Sequence, residues 1–173
     1  FEVRIGVSDP ASYDDFASAV DQARTARDRG SGPVTDFASI ARSGVLSALI
    51  AAGSAEGVVP DSPLAVPAGL VGRVVTVGHG VSRAQLLLDA TAAAGARIAR
   101  TGELGVVRGD GRGQLILNNI ATTSSVARGD VIESAGIDGI YPRGIPIGRV
   151  DSVSRGNKLF LEVRVSPSAD FTR

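Results

Sequence analysis

Cysteine and tryptophan are absent from this 173-residue chain, aromatic residues make up 4% of it, and His79 is its single histidine. Without cysteine there is neither a disulfide framework nor a thiolate metal site. One histidine rules out a multi-histidine metal centre within one chain, and no metal or cofactor is expected. The shortage of aromatics leaves a core of Val, Leu, Ile and Ala, and removes the stacking platforms on which single-stranded nucleic acids are held. Net charge is also missing, since 18 basic residues face 18 acidic ones. A dedicated nucleic-acid binder needs a basic surface to neutralise phosphates, so no such partner is expected. No apolar run approaches the roughly 18–20 residues of a membrane-spanning helix. The chain opens on Phe1 instead of methionine, as a fragment would, and any signal or anchor is expected upstream.

Glycine, by contrast, is plentiful at 22 residues, and a 43% hydrophobic content is enough for a packed interior. Residues 9–29 carry the best helical pattern. Ser12 and Asp15 form a capping-box pair, Gly30 is a natural stop, and Tyr13, Phe16, Val20 and Ala23 line up as one narrow apolar stripe. "GSGP" at 30–33 reads as a linker. From residue 34 the period shortens. Apolar runs at 44–52, 70–78, 83–89, 103–108, 113–118, 145–153 and 158–165 are separated by "PDSP", "GHG", "RGDGRG" and "SRGN" turns. In the last run Leu159, Leu161, Val163 and Val165 alternate with Phe160, Glu162 and Arg164. The pattern predicts a mainly β chain of small barrels or a sandwich. We divide it into an N-terminal helix and linker region (1–36), a first β-domain (37–92) and a second (93–173) whose end returns to the first. Alanine-rich 90–100 is ambiguous between helix and connection, and is read as the connection.

Chemistry is sparse. A Ser-His-Asp triad needs a base for its serine, and the one candidate base, His79, lies in "VGHGVSR", a hairpin tip that suits a solvated turn residue. Ser134 in "ESAGI" resembles a protease nucleophile motif only superficially. "RGD" at 108–110 and 128–130 is ordinary turn chemistry. "GDGRGQ" (109–114) lacks the Gly-Lys-Ser/Thr of a phosphate loop and sits between strands. Asp130, Glu133 and Asp138 read as solvated loop charges. The densest punctuation, "SAGIDGIYPRGIPIGRVDSV" (134–153), holds four glycines and two prolines and prescribes turns, not reactivity.

Two stretches, in order, carry a resemblance. Gly69-Leu70-Val71-Gly72-Arg73-Val74 leads to Ser82-Arg83 and Leu86-Leu87-Leu88-Asp89. Gly129, Asp130, Ser134, Gly136, Gly139, Pro142, Gly144, Pro146, Gly148 and Val150 then fall in register with a second signature, and "VRVSPSADF" (163–171) follows. The chain from about 44 to 171 resembles the rod shape-determining protein MreC family. Arg143, Ile145 and Ile147 are departures that volume tolerates. Asp138 replaces a glycine, which a left-handed turn would accept.

The resemblance implies two small six-stranded β-barrels in a chymotrypsin-like arrangement without a triad, behind a short N-terminal helix. It implies a non-enzymatic scaffold of the bacterial elongation machinery for peptidoglycan, in the periplasm and tethered to the inner membrane by an upstream helix. Its partners would be the elongation-specific class B penicillin-binding protein, the membrane protein MreD and further copies of MreC, as a homodimer or higher oligomer. Exposed strand edges and apolar tips would dock partners. Val58, Val59, Pro60 and Leu64 are candidates, as are Ile140, Tyr141, Pro142 and Ile145; the rival reading has them closing their own barrels. Tyr13, Phe16 and Val20 would serve self-association. A divergent trypsin-like peptidase and a small-barrel peptide- or glycan-binding module are the alternatives.

Overall fold

Antiparallel pairing organises the computed structural model, which describes Arg4–Ile5, 46–156 and 159–171. Strands β1 (Arg4–Ile5), β2 (Ser47–Ile50), β3 (Pro63–Val66), β4 (Gly69–Val77) and β5 (Ser82–Leu86) form a five-stranded sheet in the order β1-β3-β4-β5-β2. Strands β6 (Ala93–Ile98), β7 (Leu104–Gly109), β8 (Leu115–Asn118), β9 (Val131–Ser134), β10 (Pro146–Arg155) and β11 (Leu161–Pro167) close into a six-stranded barrel in the order β10-β11-β8-β7-β6-β9. Only one of the two expected barrels is therefore closed among the described residues. Among the described residues β1 pairs with β3 alone and β2 with β5 alone, so neither edge of the first sheet meets the other. The helix expected over 9–29, with Tyr13, Phe16 and Val20, lies outside the described residues. Among them the one helical segment is a 3-10 turn at Ser54–Glu56.

The barrel interior follows the two-residue period of its strands. Val107 on β7, Leu115 and Leu117 on β8, Ile132 on β9, Ile147 and Val150 on β10, and Val163 and Val165 on β11 all point inward and are buried. Leu161 continues that stripe half-buried, but Leu159 does not, being 69% exposed ahead of β11. The alanine-rich stretch read as a connection is strand β6. Ala94, Ala96 and Ile98 face inward against Val107, Gly105 and Ile132. Helix propensity favoured by alanine is worth only tenths of a kcal/mol per residue, and closure between β7 and β9 overrides it. Small side chains on β6 make room for the leucines opposite, as the taper of a narrow barrel requires.

The sheet has its own core of Ala48, Ile50, Val58, Leu64, Val71, Val74, Ala84 and Leu86, to which Ala169 beyond β11 contributes. Residues 86–89 join the two cores. Leu86 belongs to the sheet cluster, whereas Leu87 and Leu88 belong to that of the barrel. Asp89, buried just after them, accepts the amide of Leu46 (2.8 Å) at the start of β2 and the amide (2.8 Å) and hydroxyl of Thr91. Gln85 Nε2 adds a fourth bond at 3.2 Å.

Candidate functional site

The glycine- and proline-rich loop between β9 and β10 is built by two side chains. Ser134, fully buried, donates its hydroxyl to the Pro142 carbonyl (2.5 Å) and accepts the Ile145 amide (2.8 Å). Asp138 Oδ1 accepts the amides of Ile140 and Tyr141 (3.0 Å each), and its Oδ2 accepts that of Gly95 on β6 (2.8 Å). The loop is thus folded back over the barrel wall. Asp138 does not occupy the left-handed turn position its replacement of a glycine suggested, since among the described residues Asp61 and Asn119 are the non-glycine ones with positive φ. It works as an acceptor. Gly136, at φ +72, does take the left-handed conformation, with the Arg143 backbone packed close above it. Ser134→Ala would leave a buried amide and carbonyl unpaired, and is expected to cost about 2 kcal/mol in urea unfolding.

The docking candidates differ in burial, those at 140–145 because of this folding-back and those at 58–64 through the sheet's own core. Tyr141 and Ile145 are buried in the barrel core, and Val58 and Leu64 in that of the sheet, so these four side chains are taken up by their own cores. Burial also pushes the Tyr141 phenol well above its ordinary pKa, with the nearby Arg73 charge acting the other way. Val59 and Pro60 are exposed; Ile140 and Pro142 are half-buried. His79 is exposed in the β4–β5 hairpin tip, where Gly78 donates to the Val81 carbonyl at 2.8 Å, while the Ser134 hydroxyl is committed to main-chain partners.

The loop carboxylates are not simply solvated. Glu133 accepts Arg97 Nε at 2.6 Å. Asp130 takes Arg100 through Nε and Nη2, both at 2.8 Å, and those bonds hold its carboxyl below the ordinary range, opposed by burial and reinforced by the Ala127 amide. Asp110 accepts the amides of Arg112 and Gln114 (2.7 and 2.9 Å). Both Arg-Gly-Asp segments are therefore turn chemistry in their aspartates. Among the described residues no group of three or more His, Cys, Asp or Glu side chains could hold a metal ion.

Sequence reasoning missed the outer wall of the barrel. Cross-strand partners share a face, so the register Ala93–Arg108–Ile116–Arg164 forms one outward row, Gly95–Val106–Asn118 the next, and Arg97–Leu104 a third. Leu104 is 53% exposed there, and Ile137 from the folded-back loop, 63% exposed, lies over Gly95. A shallow recess of about 290 Å³ opens between Val106, Arg108, Asn118 and Asn119. Alternation in "ELGVVRG" carried the signal, for Leu104, Val106 and Arg108 occupy the face opposite the buried Gly105, Val107 and Gly109.

Comparison with known proteins gives this surface a context. A family model described as Rod shape-determining protein MreC, barrel core, matches residues 42–173. The cell shape-determining protein MreC of Caulobacter vibrioides is 38% identical over 97 residues, which are 56% of this chain and 28% of that protein. The chain spans about a third of the length of the curated relatives it matches. The crystal structure of MreC from Pseudomonas aeruginosa is similar with a TM-score of 0.72 and 30% identity, covering 75% of this chain and 84% of that one. A chain of the complex between Penicillin-Binding Protein (PBP2) and MreC from Helicobacter pylori shares the fold, with a TM-score of 0.55 and 18% identity over 80% of this chain and 86% of that one. The family match takes in every strand from β2 to β11, and the chain belongs to the rod shape-determining protein MreC family.

Proposed function

We propose that this chain is a non-enzymatic scaffold of the bacterial cell-elongation machinery, holding peptidoglycan-synthesising proteins together on the periplasmic side of the inner membrane. The family match through the whole barrel carries this reading, and the relatives it matches are named for determining cell shape. The penicillin-binding protein seen with MreC in the Helicobacter pylori complex supports the class of partner. MreD, further copies of the chain and an upstream membrane anchor complete the assembly we envisage. The side chains fit a role in contact, not turnover. Ser134 commits its hydroxyl inside a loop, Arg97–Glu133 fastens β6 to β9, and Arg100–Asp130 fastens the turns that flank them. Surface plasmon resonance against the ectodomain of the elongation-specific penicillin-binding protein of the same organism tests the reading. Saturable binding at micromolar concentration or tighter is expected; a flat response up to about 100 μM, far weaker than a specific interface gives, would overturn it.

A further inference from the structure

The barrel wall formed by β6, β7 and β8 has the composition of a protein-binding surface and an unneutralised charge at its centre. We infer that this wall is where the chain docks its protein partner, and that it receives an extended aliphatic segment carrying a carboxylate. The inference rests on the scaffold reading above and names the surface that reading leaves open.

The charges are uneven. On this wall Arg97 pairs with Glu133 and Arg164 with Glu162, whereas among the described residues no carboxylate pairs with Arg108. Asp110, two positions further on, is occupied by the amides of its own turn. Arg108 lies in the recess beside Asn118, whose side-chain amide makes, among the described residues, one long contact (3.5 Å, to the Ile116 carbonyl), and Asn119, held in the left-handed region at φ +65. A guanidinium flanked by two side-chain amides is suited to a carboxylate, which accepts charge-assisted hydrogen bonds from both kinds of donor. Around it the apolar residues are contiguous by register. Val106 neighbours Gly95, over which Ile137 lies; Leu104 follows two residues before Val106, and Ile116 stands across from Arg108. Gly95 suits this arrangement, because a Cβ there would come 3.0 Å from the Ile137 side chain and 3.2 Å from the Asp138 carboxylate, and both would have to give by a few tenths of an ångström. An apolar patch around one arginine is the usual pattern of an interface centre. No aromatic side chain lines the recess to hold a sugar ring, and one cation offers little to a polyanion, whose binding needs several phosphate contacts.

The experiment measures binding of the same penicillin-binding protein ectodomain to the whole chain and to four variants, Arg108→Glu, the double variant Leu104→Asp/Ile137→Asp, Arg155→Glu and Val59→Asp. Arg108→Glu and the double variant Leu104→Asp/Ile137→Asp are each expected to weaken binding at least tenfold, and Arg155→Glu, the same charge change on β10, by less than twofold. Unchanged binding by both wall variants overturns the inference and leaves the scaffold reading intact. Failure of the unaltered chain to bind sinks that reading and this one together. Loss of binding on Val59→Asp with Arg108→Glu unaffected moves the interface to the sheet and overturns the inference too. If Arg108→Glu instead lowers the mass of the chain alone by light scattering, the wall belongs to a second copy, and the inference is again overturned. Should the double variant fail to fold by circular dichroism, Arg108→Glu decides by itself.

Discussion

Asp89→Ala is expected to lower the unfolding free energy by about 3 kcal/mol, read as a reduced urea midpoint with an unchanged slope. The carboxylate is buried and accepts two main-chain amides, of Leu46 and Thr91, which no other acceptor replaces when it is removed. A buried donor without a partner costs more than the bond itself contributes. Asp89→Asn retains the Oδ1 acceptor at its size and is expected to recover part of the loss. The pH dependence has a definite sign. Burial alone would raise the Asp89 carboxyl, but the Thr91 hydroxyl and amide, the Leu46 amide and Gln85 outweigh it and hold the pKa below its ordinary value. A carboxyl depressed in the folded state contributes stability that is fully present above its unfolded pKa, about 3.9, and that is lost as pH falls through the folded value. The difference between the unaltered chain and Asp89→Ala should therefore be constant from pH 7 to 5 and shrink below about pH 4. A gap that stays the same down to pH 2 would show that the charge on Asp89 contributes nothing.

That residue also shows what was legible in the sequence. "LLLD" at 86–89 stood out as a signature, and its physics is that successive positions serve different structures: Leu86 the sheet, Leu87 and Leu88 the barrel, Asp89 the hydrogen-bond junction between them. The seven apolar runs each overlap one strand, because an inward-outward alternation is local information. Closure is not local. Nothing in "ATAAAGARIAR" announces that its alanines face the leucines of a barrel, and nothing in "PLAV" or "VIES" distinguishes strands β3 and β9 from loop, since each is short and completed by partners distant in sequence. The same limit explains the docking candidates. Tyr141 sits among glycines and prolines, which reads as an exposed tip, yet it is 4% exposed because Ser134 and Asp138 pull its loop back onto β6. The contacts that bury it span up to 43 residues of chain. The wall centred on Arg108 escaped notice for the converse reason: its rows exist only once β6, β7 and β8 are in register.

Gly109→Ala tests the junction from the barrel side, and a large effect is expected of it. A Cβ at Gly109 would stand 2.2 Å from both the carbon and the oxygen of the Leu88 carbonyl and 2.5 Å from the Asp89 oxygen. Real contacts of that kind do not occur, and the obstacle is main chain, which cannot rotate aside as a side chain would. The Leu88 carbonyl is itself fixed by the Gly111 amide (3.0 Å), so relief requires β7 to part from residues 88–89. Overpacking of a rigid site costs about 3 kcal/mol, and here the strain acts on the residues that hold Asp89 in place. Gly80→Ala supplies the control. It adds the same methyl group at a hairpin tip with nothing within 4 Å and no left-handed backbone to strain, and should change stability by less than about 0.5 kcal/mol. Urea unfolding compares the two, and amide exchange at Gly111 locates the damage, since its proton should lose protection before those of the strands in the barrel wall. If Gly109→Ala melts like Gly80→Ala with the Gly111 amide still protected, residues 88–89 do not lie against β7, and sheet and barrel are not tightly joined there.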